Sequence, residues 1–368
     1  MNKKMVLLFL LMAVVFGAIA SSHAESVRFK KALPGYTFVF PRDHGNHEHY
    51  LIEWWYFTGH LKTKDGEAFG YELTFFRRGI ENKHVDKNPS KWAVRDIYIA
   101  HFAVTDITGK KFYYDELISR EALGKAGSET GQMRVWIDDW SATGGAEIIN
   151  IRAGGAAYQI DLKLVPQKPL VVHGEKGISK KGEAEGAASH YYSFTRLKTE
   201  GVLIVAGNEK NVSGLSWMDH EFGSALLGEG QVGWDWFSIQ LEDGSEYMFY
   251  QIRQNDGKRD PVSSGTMVFP DGTKKHLEAK DFKLTPLKYW KSKKSGANYP
   301  VAWEISVPSQ QLTLKSLPLL DNQELITDKS TRVTYWEGAS EFKGEKKGKR
   351  ISGKGYIELT GYAKGLKE

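Results

Sequence analysis

Trp54-Trp55-Tyr56-Phe57-Thr58-Gly59-His60-Leu61 and Trp234-Asp235-Trp236-Phe237-Ser238-Ile239-Gln240-Leu241 read as two copies of one strand. Each is followed by an Asp-Gly turn signal, then by Tyr71-Glu-Leu-Thr-Phe-Phe-Arg77 in one case and Tyr247-Met-Phe-Tyr-Gln-Ile-Arg253 in the other. Asp139-Trp140-Ser-Ala-Thr143 parallels Asp281-Phe282-Lys-Leu-Thr285, and Val212-Ser-Gly-Leu-Ser-Trp-Met-Asp219 parallels Ile351-Ser-Gly-Lys-Gly-Tyr-Ile-Glu358. Four matches in the same order imply two copies of one β unit, joined near 225–230. Around them, short alternating segments rich in Val, Ile, Tyr, Phe and Trp are punctuated by Gly-containing turns. The expected fold is all-β, two tandem antiparallel β-barrel domains related by the internal repeat. Closing each sheet removes its exposed edges, and a barrel of about eight strands can enclose a small ligand. Ser119 to Lys125 is the one stretch whose composition predicts a helix, and His173 to Ser189, rich in Gly, Lys, Ser and Glu, reads as a solvated loop.

The 368 residues hold 18 Phe, 17 Tyr and 11 Trp, which excludes a disordered chain, and no Cys, which excludes disulfides, thiolate metal sites and a cysteine nucleophile. The net charge of +5 is small and interspersed, so no nucleic-acid partner is expected. Residues 1–24 read as a cleavable signal peptide: Lys3 and Lys4, an uncharged apolar run from Met5 to Ala20, then Ser22-His23-Ala24. The run is about 16 residues, short of the ~20 that span a bilayer. A periplasmic or secreted protein follows, with an N-terminal domain over 25–227, a C-terminal domain over 228–368 and no stable membrane span after cleavage.

Strand alternation places Glu53, Trp55 and Phe57 on one face and Trp54, Tyr56, Thr58 and His60 on the other. Asp235 shares a face with Phe237 and Ile239. A carboxyl among apolar rings either has a raised pKa, fit for a general acid, or is paired with an arginine such as Arg77 or Arg253. His44, His47 and His49 are spaced loosely ahead of the strand, and no metal is expected there. Trp217-Met-Asp219-His220-Glu221-Phe222-Gly223 is the sharpest chemical cluster, with an acid, a proton shuttle and a second carboxylate in succession. Candidate catalytic residues are therefore Asp219, His220, Glu221 and Asp235. Candidate ligand-binding residues are Glu53, Trp54, Trp55, Tyr56, Trp217, Trp234 and Trp236. His101 and His190 read as hydrogen-bonded core or rim histidines. No nucleophile elbow, phosphate loop, dinucleotide fingerprint or His-Glu-x-x-His is found, and no cofactor is expected.

The runs Asp43-His-Gly, Glu53-Trp-Trp-Tyr-Phe-Thr-Gly-His-Leu61, Leu73-Thr-Phe-Phe-Arg77, His101-Phe-Ala-Val-Thr-Asp106, Ser216-Trp-Met-Asp-His-Glu-Phe-Gly223, Gly233-Trp-Asp-Trp-Phe237 and Ser264-Gly-Thr266 together resemble the AttH-like and hydroxyneurosporene synthase (carotenoid 1,2-hydratase) family, from about 40 to 362. The resemblance implies two lipocalin-like barrels. For activity it implies two readings. The first is an exported lipocalin-like protein that binds a hydrophobic small molecule, a lipid or isoprenoid, as accessory to an envelope ABC-type transporter. The alternative is a hydratase, a carbon–oxygen lyase adding water to an isoprenoid double bond. In that version Asp219 or Asp235 protonates the alkene, Trp217, Trp234 and Trp236 face the cation, and His220 or Glu221 orients water. The export signal sets this chain apart from the carotenoid enzymes.

Overall fold

The computed structural model describes residues 29–366 apart from 81–87, 91–92, 156, 176 and 226, so the predicted signal peptide lies outside the described residues. Two antiparallel sheets make up the molecule. The first takes β1 (Ile52–Lys62), β2 (Ala68–Gly79), β3 (Asp96–Asp106), β4 (Lys111–Arg120), β5 (Ala126–Ser128), β6 (Met133–Ile137), β7 (Trp140–Gly144), β8 (Ile149–Gly154) and β9 (Tyr158–Pro166). The short β10 (Val171–Val172) and β11 (Ser179–Lys180) and the long β12 (Ala188–Val205) and β13 (Asn208–Gly223) complete it. The second takes β14 (Gln231–Leu241), β15 (Glu246–Gln254), β16 (Ser264–Val268), β17 (Lys274–Glu278), β18 (Lys283–Lys291) and β19 (Asn298–Val307), then β20 (Leu312–Pro318), β21 (Glu324–Ile326), β22 (Thr334–Lys346) and β23 (Lys349–Leu359).

The spatial orders are β4-β3-β2-β1-β13-β12-β9-β8-β7-β6-β5 and β17-β16-β15-β14-β23-β22-β20-β19-β18. The repeat is therefore a topological one: β1 and β14 each sit between their own second strand and their own last strand, β13 and β23. In the first barrel β4 comes back against β5 and β6. The result is an all-β, lipocalin-like pair of barrels, as the repeat predicts. Trp55, Phe57, Tyr71, Leu73, Phe102 and Met218 fill the first barrel, and Phe237, Ile239, Phe249, Trp303 and Trp336 the second. Each fully buried aromatic contributes roughly 2–3 kcal/mol. A one-residue slip of β1 would turn Trp55 and Phe57 out, so the register is pinned.

Two sequence expectations fail. No helix forms over Ser119–Lys125: β4 pairs with β3 as far as Arg120, and the chain then turns at Leu123 and Gly124, both with positive φ (56° and 71°). Cross-strand pairing overrides the helix-forming composition. Nor is 173–189 a solvated loop throughout: Glu183 to Glu185 are exposed, but Ile178, Ser179, Ala188 and Ser189 are buried. His173 is buried, Tyr250 of the second barrel donates to the Lys180 carbonyl at 2.7 Å, and Gln231 donates to that of Lys181 at 2.8 Å. A Gly-rich, charged composition describes the segment's backbone freedom, whereas the second barrel supplies the partners that order it.

The barrels dock through the outward faces of β1, β2, β3, β12 and β13 on one side and β14, β15, β22 and β23 on the other. Tyr56, Tyr191, Trp217, Trp236, Met248, Tyr250, Ile252, Ala339 and Tyr356 form a third buried cluster there. The contact is also polar. Gln240 Nε2 donates to the carbonyls of Thr195 and Ser216 at 2.8 and 2.9 Å, and His60 Nε2 to that of Gly355 at 2.9 Å. His101 lies 2.7 Å from the Tyr335 hydroxyl, and Lys168 and Arg196 clasp Glu246 at 2.7 and 2.5 Å.

Candidate functional site at the barrel junction

Alternation decides what each strand offers this junction. β13 turns Trp217, Asp219 and Glu221 toward it, and Met218, His220 and Phe222 to the opposite face. β1 adds Trp54 and Tyr56, with Tyr56 directly opposite Asp219 in register, and β12 adds Tyr191 and Ser193. The second barrel brings Trp234 and Trp236 on β14, Glu337 on β22 and Glu358 on β23, where Glu358 stands opposite both Trp236 and Glu337. Trp54, Trp234 and Glu358 are half-buried and mark the rim.

Asp219 is buried and accepts hydrogen bonds from Tyr191 Oη at 2.7 Å, from Trp217 Nε1 at 2.6 Å and from the Ser193 hydroxyl. Burial is the dominant influence and pushes its carboxyl up to about 7, against the pull of those three donors and with Glu221 nearby adding to the rise. Glu358 accepts from Trp234 Nε1 at 2.9 Å and is likewise pushed up to about 7, first by burial, with Asp219 and Glu221 contributing. Glu337 accepts from the Tyr56 hydroxyl at 3.1 Å; Glu72 on β2 accepts from Thr74, while its Oε2 has no partner among the described residues. Burial first, then repulsion from Glu358, holds both well above the carboxylate range. The counterweight is Lys181, 2.7 Å from Glu221 Oε1 and over the Tyr250 ring at 4.5 Å. Burial opposes its charge, but Glu221 outweighs burial and holds the ammonium above its ordinary value. The junction thus offers carboxyls that hold their protons well beyond the usual carboxylate range beside indole and phenol rings, a combination able to give a proton to an apolar molecule.

The other predicted residues sit elsewhere. Glu53 lies inside the first barrel, with Oε1 accepting from His47 Nδ1 at 2.7 Å and His220 Nε2 at 2.8 Å, and Oε2 3.1 Å from Arg77 Nε. Arg77 also meets Asp96 at 2.8 Å, His220 stacks on Trp55 and His47 on Phe222. Burial would lift Glu53, but His47, His220 and Arg77 hold it well below the carboxylate range. The ligand-type atoms of His47, Glu53 and His220 lie within 4.8 Å of one another, the geometry from which a zinc site is built. Here Asp43, Glu53 and Asp96 already meet Arg42, Arg77 and a His47 whose pKa is raised. A cation would enter beside the Arg77 guanidinium, so the set reads as a closed proton-holding network rather than a metal centre. His220 and Trp55 are thereby separated from Asp219 by the sheet itself.

Asp235 is not brought to the junction. It faces the second barrel's interior, ion-paired with Arg253 and accepting from Gln251 at 2.7 Å and Tyr362 at 2.9 Å. The reason is the two-residue strand period, which sends Trp234 and Trp236 one way and Asp235 the other. Of the predicted catalytic set, the junction keeps Asp219 and Glu221. Of the predicted lining it keeps Trp54, Tyr56, Trp217, Trp234 and Trp236. Sequence reasoning missed Glu72, Glu337, Glu358, Tyr191 and Lys181. A signal existed for Glu358, the repeat counterpart of Asp219, each carboxyl accepting from a tryptophan Nε1. It existed also for Glu72, which alternates with the inward Tyr71 and Leu73. Nothing local marks Glu337 or Lys181.

The sequence profile of the AttH-like family matches residues 31–362. The crystal structure of an AttH candidate from Nitrosomonas europaea is 33% identical, covers 91% of this chain and 99% of its own, and superposes with a TM-score of 0.81. Kievitone hydratase from Nectria haematococca shares the fold at 15% identity, covering 92% of this chain and 98% of its own with a TM-score of 0.68. Dehydratase asqC of Emericella nidulans is 22% identical over 201 residues, 52% of this chain and 55% of that protein. The chain thus matches about half the length of that curated relative.

Proposed function

The chain belongs to the AttH-like family, and on that premise we propose that it is a hydratase or dehydratase, a carbon–oxygen lyase acting on an apolar substrate of the isoprenoid type. One observation carries the reading: Asp219, a buried acid pushed up to about 7, sits against Trp217 and Tyr191 where the two barrels meet. Such an acid is substantially protonated at neutral pH and is surrounded by surfaces that suit a hydrocarbon. The names of kievitone hydratase and dehydratase asqC describe the addition and the removal of water, opposite directions of one reaction class, which supports the same reading.

In the hydration direction, Asp219 gives its proton to the less substituted alkene carbon, and the π pair becomes the new C–H bond. The tertiary cation left behind faces the indoles of Trp217 and Trp236. Water adds through an oxygen lone pair, and its surplus proton returns to the Asp219 carboxylate, so alkene and water become a tertiary alcohol. Glu221, fixed by Lys181, orients that water. Dehydration runs the same steps in reverse. A carrier role beside an ABC-type transporter uses the aromatic lining but gives the proton-holding carboxyls no task. We place the reaction outside the cytoplasm on the strength of the N-terminal sequence.

The test is incubation of the purified protein with an acyclic isoprenoid bearing a terminal trisubstituted alkene, in oxygen-labelled water. Label is expected in a tertiary alcohol, and Asp219→Asn is expected to remove at least 100-fold of the rate, the usual contribution of a general acid. Unchanged alkene throughout, with a lipid recovered by extraction, would instead establish the carrier.

A further inference from the structure

His173 connects Asp219 to the second barrel. Its ring is buried, tilted against Tyr191 at 4.2 Å between centroids, with its backbone N–H on the Tyr191 carbonyl at 2.8 Å. Nε2 lies 2.6 Å from Ser193 Oγ, and Ser193 bonds Asp219 Oδ1. Nδ1 lies 2.8 Å from Thr266 Oγ1, on β16 of the other barrel. The line Asp219–Ser193–His173–Thr266 therefore crosses the junction.

Asp219's three partners are not equivalent. Trp217 Nε1 can only donate. The Tyr191 hydroxyl already accepts from Trp236 Nε1 at 3.2 Å and gives its own proton to Asp219 Oδ2. Ser193 alone of the three is free to reverse, and its direction is coupled to the imidazole behind it. When Asp219 is protonated, Oδ1–H points to Ser193, Ser193 donates to Nε2, and Nδ1–H donates to Thr266. When Asp219 is ionised, Ser193 donates to Oδ1, Nε2–H donates to Ser193, and Thr266 donates to Nδ1. The ring stays neutral in both states: on titration one proton leaves the line for solvent, and within the ring a proton is lost at Nδ1 and one is gained at Nε2. Burial first, then the like charges of Lys274 and Lys181 and the neighbouring His276, disfavour an imidazolium.

We propose that His173 is the positioning residue that holds the proton of Asp219, acting through Ser193, and that its tautomer follows the state of that acid. The inference rests on the reading of Asp219 as the proton donor. It makes docking of the second barrel, through Thr266, part of what readies the acid. Around Asp219 the other titratable neighbours are Glu221 on its own strand, Tyr56 and Tyr191 on the flanking strands, Lys181 on the crossing segment and Glu358 opposite.

The experiment is two-bond proton–nitrogen NMR of the full chain labelled at histidine, followed from pH 5 to pH 9. His173 is expected to remain neutral, with Nε2 bare at low pH and protonated at high pH. Ser193→Ala should lose this exchange and leave one tautomer throughout. Thr266→Val, on the other barrel, should lose it too, while Thr266→Ser keeps it, a pattern that a merely structural histidine would not give. A wild-type tautomer that never changes, or an imidazolium within this range, overturns the proposal. The readout needs no substrate. A chain that hydrates nothing but shows the exchange refutes the lyase reading alone, and an active hydratase with a fixed tautomer refutes the relay alone.

Discussion

Replacing Asp219 by Asn should stabilise this protein at alkaline pH while removing the proposed lyase activity. The carboxyl's ordinary value is 3.8, and folding pushes it up to about 7, chiefly through burial. An acid raised by folding is protonated in the native state where the unfolded chain has already ionised. Stability is therefore fully present below about pH 4, is lost as pH rises through the window from 4 to 7, and is constant above it. At ~1.4 kcal/mol per decade, the part of that loss between pH 5 and pH 8 comes to roughly 3 kcal/mol. Asn keeps the side-chain volume and an oxygen for Trp217 Nε1 and Ser193, but has no charge to desolvate. Urea melts of both proteins at pH 5 and pH 8 give the difference directly. The variant should gain roughly 3 kcal/mol relative to wild type between the two pH values; the cost of its amide N–H₂ facing Tyr191 is the same at both and cancels. A stability difference that does not change with pH, or one that moves the other way, would refute the burial argument for this acid.

Other perturbations separate structural from chemical carboxylates. Glu53→Gln should cost about 3–5 kcal/mol in thermal or urea melts, because Arg77 is left buried with only Asp96 as a charged partner. Asp235→Asn should cost up to about 3 kcal/mol by leaving the largely buried Arg253 charge without its carboxylate, yet leave any turnover of folded protein near wild type; loss of turnover without loss of stability would return Asp235 to the catalytic set. Gly70→Ala would place a methyl 2.5 Å from Tyr356 Oη and 2.6 Å from Ala339 Cβ, both on the second barrel. It should loosen docking by about 1–3 kcal/mol, seen as faster protease cleavage between 223 and 231; wild-type resistance would show that the junction yields more easily than its packing implies.

Strand period and internal repetition are local properties, and they carried much of the fold. Residues two apart share a face whatever the rest of the chain does, so Trp55 with Phe57, and Trp54 with Tyr56, were separable by inspection. The same rule sets His220 and Asp219 on opposite faces of β13, although the three consecutive polar side chains look like one cluster on paper and stand together among the catalytic candidates. The helix expected over Ser119–Lys125 failed because the pairing of β4 with β3 outweighs local propensity. The segment around His173 and Lys181 was misread because its composition carries no trace of the partners that bury it.

What the sequence determined by itself was the two-barrel architecture and the faces of the repeated strands, since each depends on neighbours along a strand; it offered arginine pairing of the inner carboxyls as one of two alternatives, and the structure chose it for Glu53 and Asp235. What only the tertiary structure decided was which carboxyls become acids. The raised pKa values of Asp219, Glu358, Glu337 and Glu72 come first from burial at the contact between the barrels, and then from like charges that meet there. Desolvation depends on what covers a residue, and the covering surface here lies up to hundreds of residues away in the chain.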